Sequence, residues 1–94
     1  MEAWVNRPAH IRQGETAKRN GHVARPMNPF MLYRSAYFSI AGQWCSQSNS
    51  SVISSICGQS WLLEPPKVRR RYKMYAEKER SNHLEVYPDY KFNP

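Results

Sequence analysis

Hydrophobic residues in the first apolar stretch of the chain recur every three or four positions, the spacing of one face of an α-helix. Asn28-Pro29 stands at its start: Asn caps free backbone N–H groups, and Pro is tolerated at the first helical position because its missing N–H costs nothing there. The pattern predicts a helix that begins after Asn28 and is weakened near its end by Gly42. Its apolar face comprises Phe30, Tyr33, Tyr37, Ile40, Ala41 and Trp44.

A second apolar stretch with the same spacing follows a polar turn at residues 45–51. Either Ser50 or Ser51 is placed to cap it. The β-branched pair Val52-Ile53 keeps a strand open as the alternative to this second helix. The apolar face of the helix would comprise Val52, Ile53, Ile56, Cys57 and Trp61.

Two prolines separate the second helix from a third. The residue before a proline is pushed out of helical geometry, so Pro65-Pro66 ends the second helix, while Pro66 suits the opening of the next. Pro88 ends the third helix and leaves residues 87–92 as an extended tail. We therefore expect an all-α protein of two short helices and one long one. The inward face of the long helix would comprise Val68, Tyr72, Tyr75, Ala76, Glu79 and His83.

Basic residues are concentrated near the two ends of the chain, which has 94 residues, 14 Lys+Arg against 7 Asp+Glu and a formal net charge of +7. Residues 1–22 carry four basic and two acidic side chains without an apolar period, and we expect them to form a disordered basic arm. Residues 67–80 carry seven basic and two acidic side chains. A strong positive field on a small domain favours nucleic acid as the partner.

Several classes of function are excluded by what the sequence lacks. No apolar run is long enough to cross a membrane, and no cleavable leader is seen, so we expect an intracellular protein. Cys45 and Cys57 cannot form a disulfide framework, and the histidines and cysteines lack paired-ligand spacing, so we expect no metal or other cofactor. The serines have no accompanying His/Asp arrangement, and no Gly-rich phosphate loop occurs, so we do not expect an enzyme or a small-molecule substrate.

Four separated motifs stand out along the chain: residues 25–34 at the opening, 54–61 in the second helix, 64–76 at the start of the third and 87–92 at the close. In this order they resemble the motifs of the sequence-specific HMG box in its SOX-like form. The resemblance covers residues 23–94, which we take as one domain following the arm at 1–22. Its nearest variety is the fungal mating-type and sexual-development regulators, to which Glu64-Pro65-Pro66 and the Gly-Gln-Ser-Trp sequence at 58–61 are similar.

The resemblance implies an L-shaped fold of three helices. The first two helices would form one arm with part of the third. The rest of the third helix would pack against an extended N-terminal strand at residues 23–27, which would lie beside the tail at 87–92.

The resemblance also implies a nuclear transcription regulator that binds A/T-rich DNA in the minor groove and bends it. Proteins of this kind insert an apolar wedge between base pairs, and here the wedge would be Met31, braced by Phe30. Asn28 would contact base edges as well as cap its helix; non-specific HMG boxes tend to carry Ser there. Ser54 occupies the place where architectural boxes carry a second wedge, so Asn28 and Ser54 both favour sequence-specific binding.

Further DNA contacts are implied at positions that match the family's motifs. Ser50 and Ser51 lie at the start of the second helix, where capping is the favoured role of Ser50. Residues 35–43 lack the basic charge usual in the family, which predicts a shallower salt dependence. The remaining DNA-binding candidates are Arg25, Tyr33, Arg34, Trp61 and Tyr90, together with a phosphate-binding or nuclear-import cluster of Lys67, Arg69, Arg70, Arg71 and Lys73.

Double-stranded DNA is therefore the expected partner, with a protein co-regulator as a second one. Two other functions stay open at this point. One is a non-specific architectural protein of chromatin. The other is a helical protein-interaction module that binds its partner through Phe38 and Ile40, with the basic cluster as an ordinary solvated helix face.

Overall fold

The computed structural model describes residues 1–44 and 50–91, with side chains at 1–40 and 51–91, and consists of α-helices joined by short connections. No strand occurs in the described residues, so the all-α prediction is confirmed. The helices are α1 (Glu2–Val5), α2 (Ala9–Lys18), α3 (Pro29–Trp44), α4 (Ser50–Leu63) and α5 (Pro66–Val86). The three predicted helices are α3, α4 and α5, and the strand alternative at Val52-Ile53 is wrong.

Some sequence predictions fall outside the described residues. They concern the polar turn at 45–49, the end of the tail from Phe92 onward, and the side chains of residues 41–50. The predicted inward positions of Ala41 and Trp44 belong to this group. So does the contact expected from the side chain of Ser50.

Proline and asparagine set the helix starts as the sequence predicts. The Oδ1 atom of Asn28 accepts a hydrogen bond of 2.8 Å from the backbone N–H of Met31, which caps α3. At the start of α5, Pro65 has an extended backbone (φ −61°, ψ 152°), and its carbonyl accepts the N–H groups of Val68 and Arg69. The last turn of α5 closes through Tyr87, whose N–H donates to the carbonyl of His83 at 2.9 Å.

An aromatic cluster joins α3, α4 and the first half of α5. Tyr33 lies at its centre, 7% exposed, with its ring centre 5.0 Å from that of Trp61 and 5.5 Å from that of Tyr72. Phe30 packs against the same indole at 6.1 Å. Ring pairs at such distances contribute about 1 kcal/mol each beyond the area they bury, so this cluster holds the three helices together.

The predicted apolar faces of α3 and α4 are only partly correct. Leu32 lies outside the predicted face of α3 yet is fully buried, because α3 packs against both α4 and α5 and so has two covered sides. On α4, Ile53 and Cys57 are buried, whereas Val52 and Ile56 are 53% and 44% exposed. Since α4 packs mainly on α3, a narrow stripe of α4 suffices to fill the contact.

The second half of α5 is covered by polar contacts. Glu79 and His83, both predicted to face inward, are 3% and 8% exposed. The Glu79 carboxylate accepts hydrogen bonds from Nη1 of Arg12 at 2.7 Å and from Nη1 of Arg7 at 3.0 Å. Arg7 also binds Glu15, with its Nε 2.8 Å from Oε2. A buried carboxylate is tolerated only when paired in this way.

The disordered arm predicted for residues 1–22 is wrong, because these residues form α1 and α2 and pack on α5. Val5 is fully buried, and its carbonyl accepts hydrogen bonds from Arg12 and Asn82. The Thr16 hydroxyl shares a hydrogen bond with the hydroxyl of Tyr87. The prediction failed because the segment is held by ion pairs and hydrogen bonds, which leave no hydrophobic period in the sequence. The domain boundary at residue 22 stays a prediction.

Residues 22–28 connect α2 to α3 without regular secondary structure. The chain reverses at Asn20 and Gly21, whose φ angles of 58° and 83° lie in the left-handed region. It then reaches α5, where Nε2 of His83 lies 2.8 Å from the carbonyl oxygen of Ala24. The ring of Tyr90 packs on the same imidazole at 4.9 Å. The segment therefore contacts α5 at the same imidazole as the tail, but the predicted extended strand is not confirmed.

The ion pairs at Glu79 predict a large effect of removing one partner. In Arg12→Met the side chain keeps much of its apolar bulk while the carboxylate loses its closest cation. We expect the free energy of unfolding to fall by about 3 kcal/mol, the scale for breaking a buried pair. Urea denaturation followed by circular dichroism measures this loss.

Lys78→Ala is the matched control for that substitution. It removes an exposed contact of 4.0 Å with Glu2, so its effect should stay within about 0.5 kcal/mol. Equal effects of the two substitutions would show that the Arg12–Glu79 pair does not stabilise the fold.

Candidate nucleic-acid interface

One surface groove brings together four of the residues predicted to contact DNA. It lies between the segment before α3 and the second half of α5, and we call it the α5 groove. Pro26, Met27 and Ala76 supply apolar parts of its wall, and Arg80 adds a further basic group. The predicted residues that line it are Arg25, Asn28, Lys73 and Tyr90.

Asn28 is oriented by its capping hydrogen bond. Its Oδ1 is occupied by the N–H of Met31, and within the described residues its Nδ2 group has no hydrogen-bond acceptor. The side chain is exposed. The cap therefore leaves the two N–H donors of the amide without an acceptor in the described part of the chain, on an exposed side chain that lines the groove, so the two roles predicted for Asn28 are compatible.

Met31 and Phe30 differ in exposure although they are neighbours in the first turn of α3. Phe30 is half-buried against Trp61, whereas Met31 is 42% exposed. An unbranched apolar side chain thus protrudes from a helix end that an aromatic contact holds in place. This is the geometry that a wedge braced by Phe30 requires.

Arg34 and Ser54 are joined across α3 and α4. Nε of Arg34 donates to the Ser54 hydroxyl at 3.1 Å, and the guanidinium carbon lies 4.9 Å from the ring centre of Phe38. Burial raises the pKa of the nearby Cys57 thiol, and the charge of Arg34 opposes that rise. The contacts with Ser54 and Phe38 therefore hold Arg34 in place, and its half-buried side chain stays partly accessible to solvent.

Two predicted contact residues belong to the aromatic cluster. The hydroxyl of Tyr33 shares a hydrogen bond of 2.6 Å with Ser60 and donates to Oε1 of Glu64 at 3.1 Å, so its polar group is already occupied. Trp61 is half-buried between the rings of Phe30 and Tyr33. Both residues support the surface that carries Met31, and direct contact of Tyr33 and Trp61 with DNA stays a prediction. Ser51, by contrast, is exposed near the start of α4.

The basic cluster at the start of α5 is divided between two faces of the helix. Arg69 precedes Lys73 by four residues, so these two share the side that meets the α5 groove, and Arg70 lies midway around the helix between Lys73 and Lys67. Lys67 and Arg71 are four residues apart and lie on a different side. None of the five has a carboxylate within 4.0 Å in the part of the chain described here. The cluster therefore presents its charge to solvent.

A second groove contains two basic residues that sequence reasoning did not assign to the site. We call it the N-terminal groove; Met31 and Arg25 line it together with Lys18 and Arg19 from the end of α2. No signal in the sequence indicated this placement, since it depends on the docking of α2 against α5. Arg7 and Arg12, counted with the basic arm, are instead occupied by Glu15 and Glu79.

The described residues offer little support for other kinds of site. Among residues 1–44 and 50–91, no three His, Cys, Asp or Glu side chains are grouped so as to hold a metal ion. No helix in the described part has the length and apolar character needed to cross a bilayer.

Comparison with known proteins gives one family match. The family described as HMG (high mobility group) box matches residues 23–91. HMG-box protein STE11 of Pneumocystis carinii is 40% identical over 72 residues, which are 77% of this chain and 14% of that protein. Lymphoid enhancer-binding factor 1 of Mus musculus and of Homo sapiens is 29% identical over 82 residues, 87% of this chain and 21% of each relative. This chain thus spans about a fifth or less of their length. No solved structure matches it significantly.

Ionisation within the aromatic cluster predicts a loss of stability at alkaline pH. Burial raises the pKa of Tyr33 above its ordinary value of 10.0, partly opposed by the hydrogen bond to Ser60, and burial raises the pKa of Tyr72 as well. The folded state therefore holds these protons more tightly than the unfolded state. The stabilisation is complete below about pH 10 and is lost as the pH rises further.

Tyr33→Phe tests this assignment. The variant should lose about 1 kcal/mol at neutral pH, because Ser60 and Glu64 lose a hydrogen-bond partner. It should then lose less than the parent between about pH 9 and pH 11, because phenylalanine cannot ionise. Urea denaturation at a series of pH values gives both numbers. Parallel pH profiles for the two proteins would contradict the role given to Tyr33.

Proposed function

The chain belongs to the HMG box family, and on that premise we propose that it is a sequence-specific DNA-binding transcription regulator. It binds A/T-rich sites in the minor groove, inserts Met31 between base pairs and bends the duplex. Its place of action is the nucleus. Its similarity to fungal mating-type and sexual-development regulators, together with a fungal HMG-box relative, supports a role in mating or sexual development. The HMG box is a family of DNA-binding proteins and not of enzymes.

The observation that carries the proposal is the contrast between Met31 and Phe30. A wedge must leave water and enter a stack of bases, at an unstacking cost of a few kcal/mol per step. It must therefore protrude as an apolar group and be held rigidly from behind. Met31 is 42% exposed, and the neighbouring Phe30 is fixed against Trp61 by a ring contact of 6.1 Å.

Asn28 supplies the reading of A·T base pairs in this proposal. The minor groove of an A·T pair presents only acceptors, N3 of adenine and O2 of thymine, whereas a G·C pair adds the N2 donor of guanine. The cap uses Oδ1 of Asn28 and leaves its N–H donors available to a ligand. Donors next to the wedge therefore match A·T pairs and meet a competing donor at G·C pairs.

The positive charge around the wedge supplies affinity. Arg25 and Lys73 line the α5 groove, and Arg34 lies beyond Met31 toward α4. Contacts of this kind with phosphates fix register and orientation without reading sequence. Arg69 and Arg70 extend the charged side of α5, whereas Lys67 and Arg71 on another side of the helix are better placed for recognition by an import receptor.

An architectural, non-specific role is the second reading, and Ser54 argues against it. Such a role would use a second apolar wedge at this position. Ser54 is instead a polar residue whose hydroxyl accepts a hydrogen bond from Arg34. A protein co-regulator stays a proposal as well: Ile40 is 60% exposed, while Phe38 is half-buried beside the same guanidinium.

Met31→Ala is expected to reduce DNA bending more than DNA affinity. The substitution removes the group that unstacks the bases, while the phosphate contacts remain. Circular-permutation gels measure the bend, and a titration with the same duplex measures affinity. Met74→Ala is the matched control, because Met74 is also an exposed methionine (49%) and lies on α5 away from both grooves. An unchanged bend in Met31→Ala would refute the wedge.

Asn28→Ser is expected to relax base preference without unfolding the protein. Serine also caps helices well, but it lacks the amide donors. Selection of binding sites from random duplexes should return an A/T-rich motif for the parent and a weaker one for the variant. If scrambled duplex competes as well as the selected site against the parent protein, the architectural reading replaces the specific one.

A further inference from the structure

We infer that the N-terminal segment extends the DNA interface, with Lys18 and Arg19 binding backbone phosphates next to the wedge. The inference rests on the proposed function, because it concerns the same DNA. It goes beyond the HMG box itself, since both residues precede the matched range 23–91. It gives a binding role to a part of the chain that composition marks as an arm.

The placement of α2 follows from the ion pairs at Glu79. Arg12 of α2 is 3% exposed and binds the Glu79 carboxylate, while Thr16, one turn later, contacts Tyr87 beyond the end of α5. These two contacts, one turn apart, fix both the position and the rotation of α2. Its last turn, which carries Lys18, is therefore held at a defined place next to the box.

The turn after α2 brings its end back to the DNA-facing side. Gly21 donates its N–H to the carbonyl of Thr16 at 2.9 Å, and the left-handed backbone at Asn20 and Gly21 reverses the chain. Ala24 then docks on His83. The reversal leaves Lys18 and Arg19 lining the same groove as Arg25 and Met31.

The charges in this region are available for a ligand. Lys18 and Arg19 are exposed, and neither forms an ion pair with a described residue. The acidic residues that also line the groove, Glu15 and Glu79, are already bound by arginines. The groove is thus lined by basic side chains together with the apolar side chains of Met27 and Met31. A polyanion that contacts Met31 would also be close to Lys18 and Arg19.

The test compares the salt dependence of DNA binding by the parent, Lys18→Ala, Arg19→Ala and the double variant. Each phosphate contact adds about 0.9 to the slope of log affinity against log salt. The single variants should lose about 0.9 and the double variant about 1.8, so that between about 50 and 200 mM salt its affinity falls about tenfold less than that of the parent. Lys78→Ala removes the same charge from outside both grooves and should leave the slope close to that of the parent.

The outcomes separate this inference from the proposed function. A parent protein that does not bind DNA overturns both. A parent that binds and bends DNA, with an unchanged slope in the double variant, overturns the role of Lys18 and Arg19 alone. Equal losses of slope in Lys78→Ala and Lys18→Ala would indicate a general field effect and also overturn it. Thermal unfolding of each variant, followed by circular dichroism, is expected to match the parent.

Discussion

The packing of α1 and α2 on the second half of α5 depends on the buried carboxylate of Glu79. A charged group at 3% exposure destabilises a fold unless cations and hydrogen-bond donors surround it. Arg7 and Arg12 supply both, from a segment 67 to 72 residues away in sequence. The second half of α5 and the N-terminal helices are therefore mutually dependent. The path of residues 22–28 between them follows from the same contact, and with it the entry of the chain into α3.

The two halves of α5 are held in place by different kinds of interaction. Around Tyr33 and Trp61, these two rings are tilted by 54° to each other, and each meets the ring of Tyr72 edge to face, which excludes water from the contact of three helices. Around Glu79 and His83 the contacts are ion pairs and hydrogen bonds to backbone carbonyls. The stability that apolar packing provides is nearly independent of pH until tyrosines ionise. Ion pairs and hydrogen bonds form only at defined distances and angles, so they fix the orientation of the groups that they join. The aromatic cluster thus provides a rigid support for Met31, and the contacts around Glu79 and His83 fix the direction of the segments next to it.

Net charge is a poor guide to which cations of this chain are available to DNA. Arg7 and Arg12 are counted in the net charge of +7 but form ion pairs with carboxylates of the protein itself. Lys18 and Arg19, in the same segment, remain exposed on a groove that reaches Met31. A basic side chain is available to a ligand only when no carboxylate of the protein lies within about 4 Å of it. In this segment, the tertiary contacts of α2 decide which side chains are paired in this way.

The sequence by itself determined the helices α3, α4 and α5, because Asn28-Pro29 and Pro65-Pro66 act on the backbone within one turn and apolar periodicity is a local property. It also determined the inward face of α5. The four family motifs, read in order, identified the family. The tertiary structure alone decided that residues 1–22 are folded, that Leu32 is core, and that the hydroxyl of Tyr33 is occupied by Ser60 and Glu64. Each of these depends on pairing between groups distant in the chain, and a polar side chain that will be buried by a distant partner leaves no hydrophobic period in its own segment.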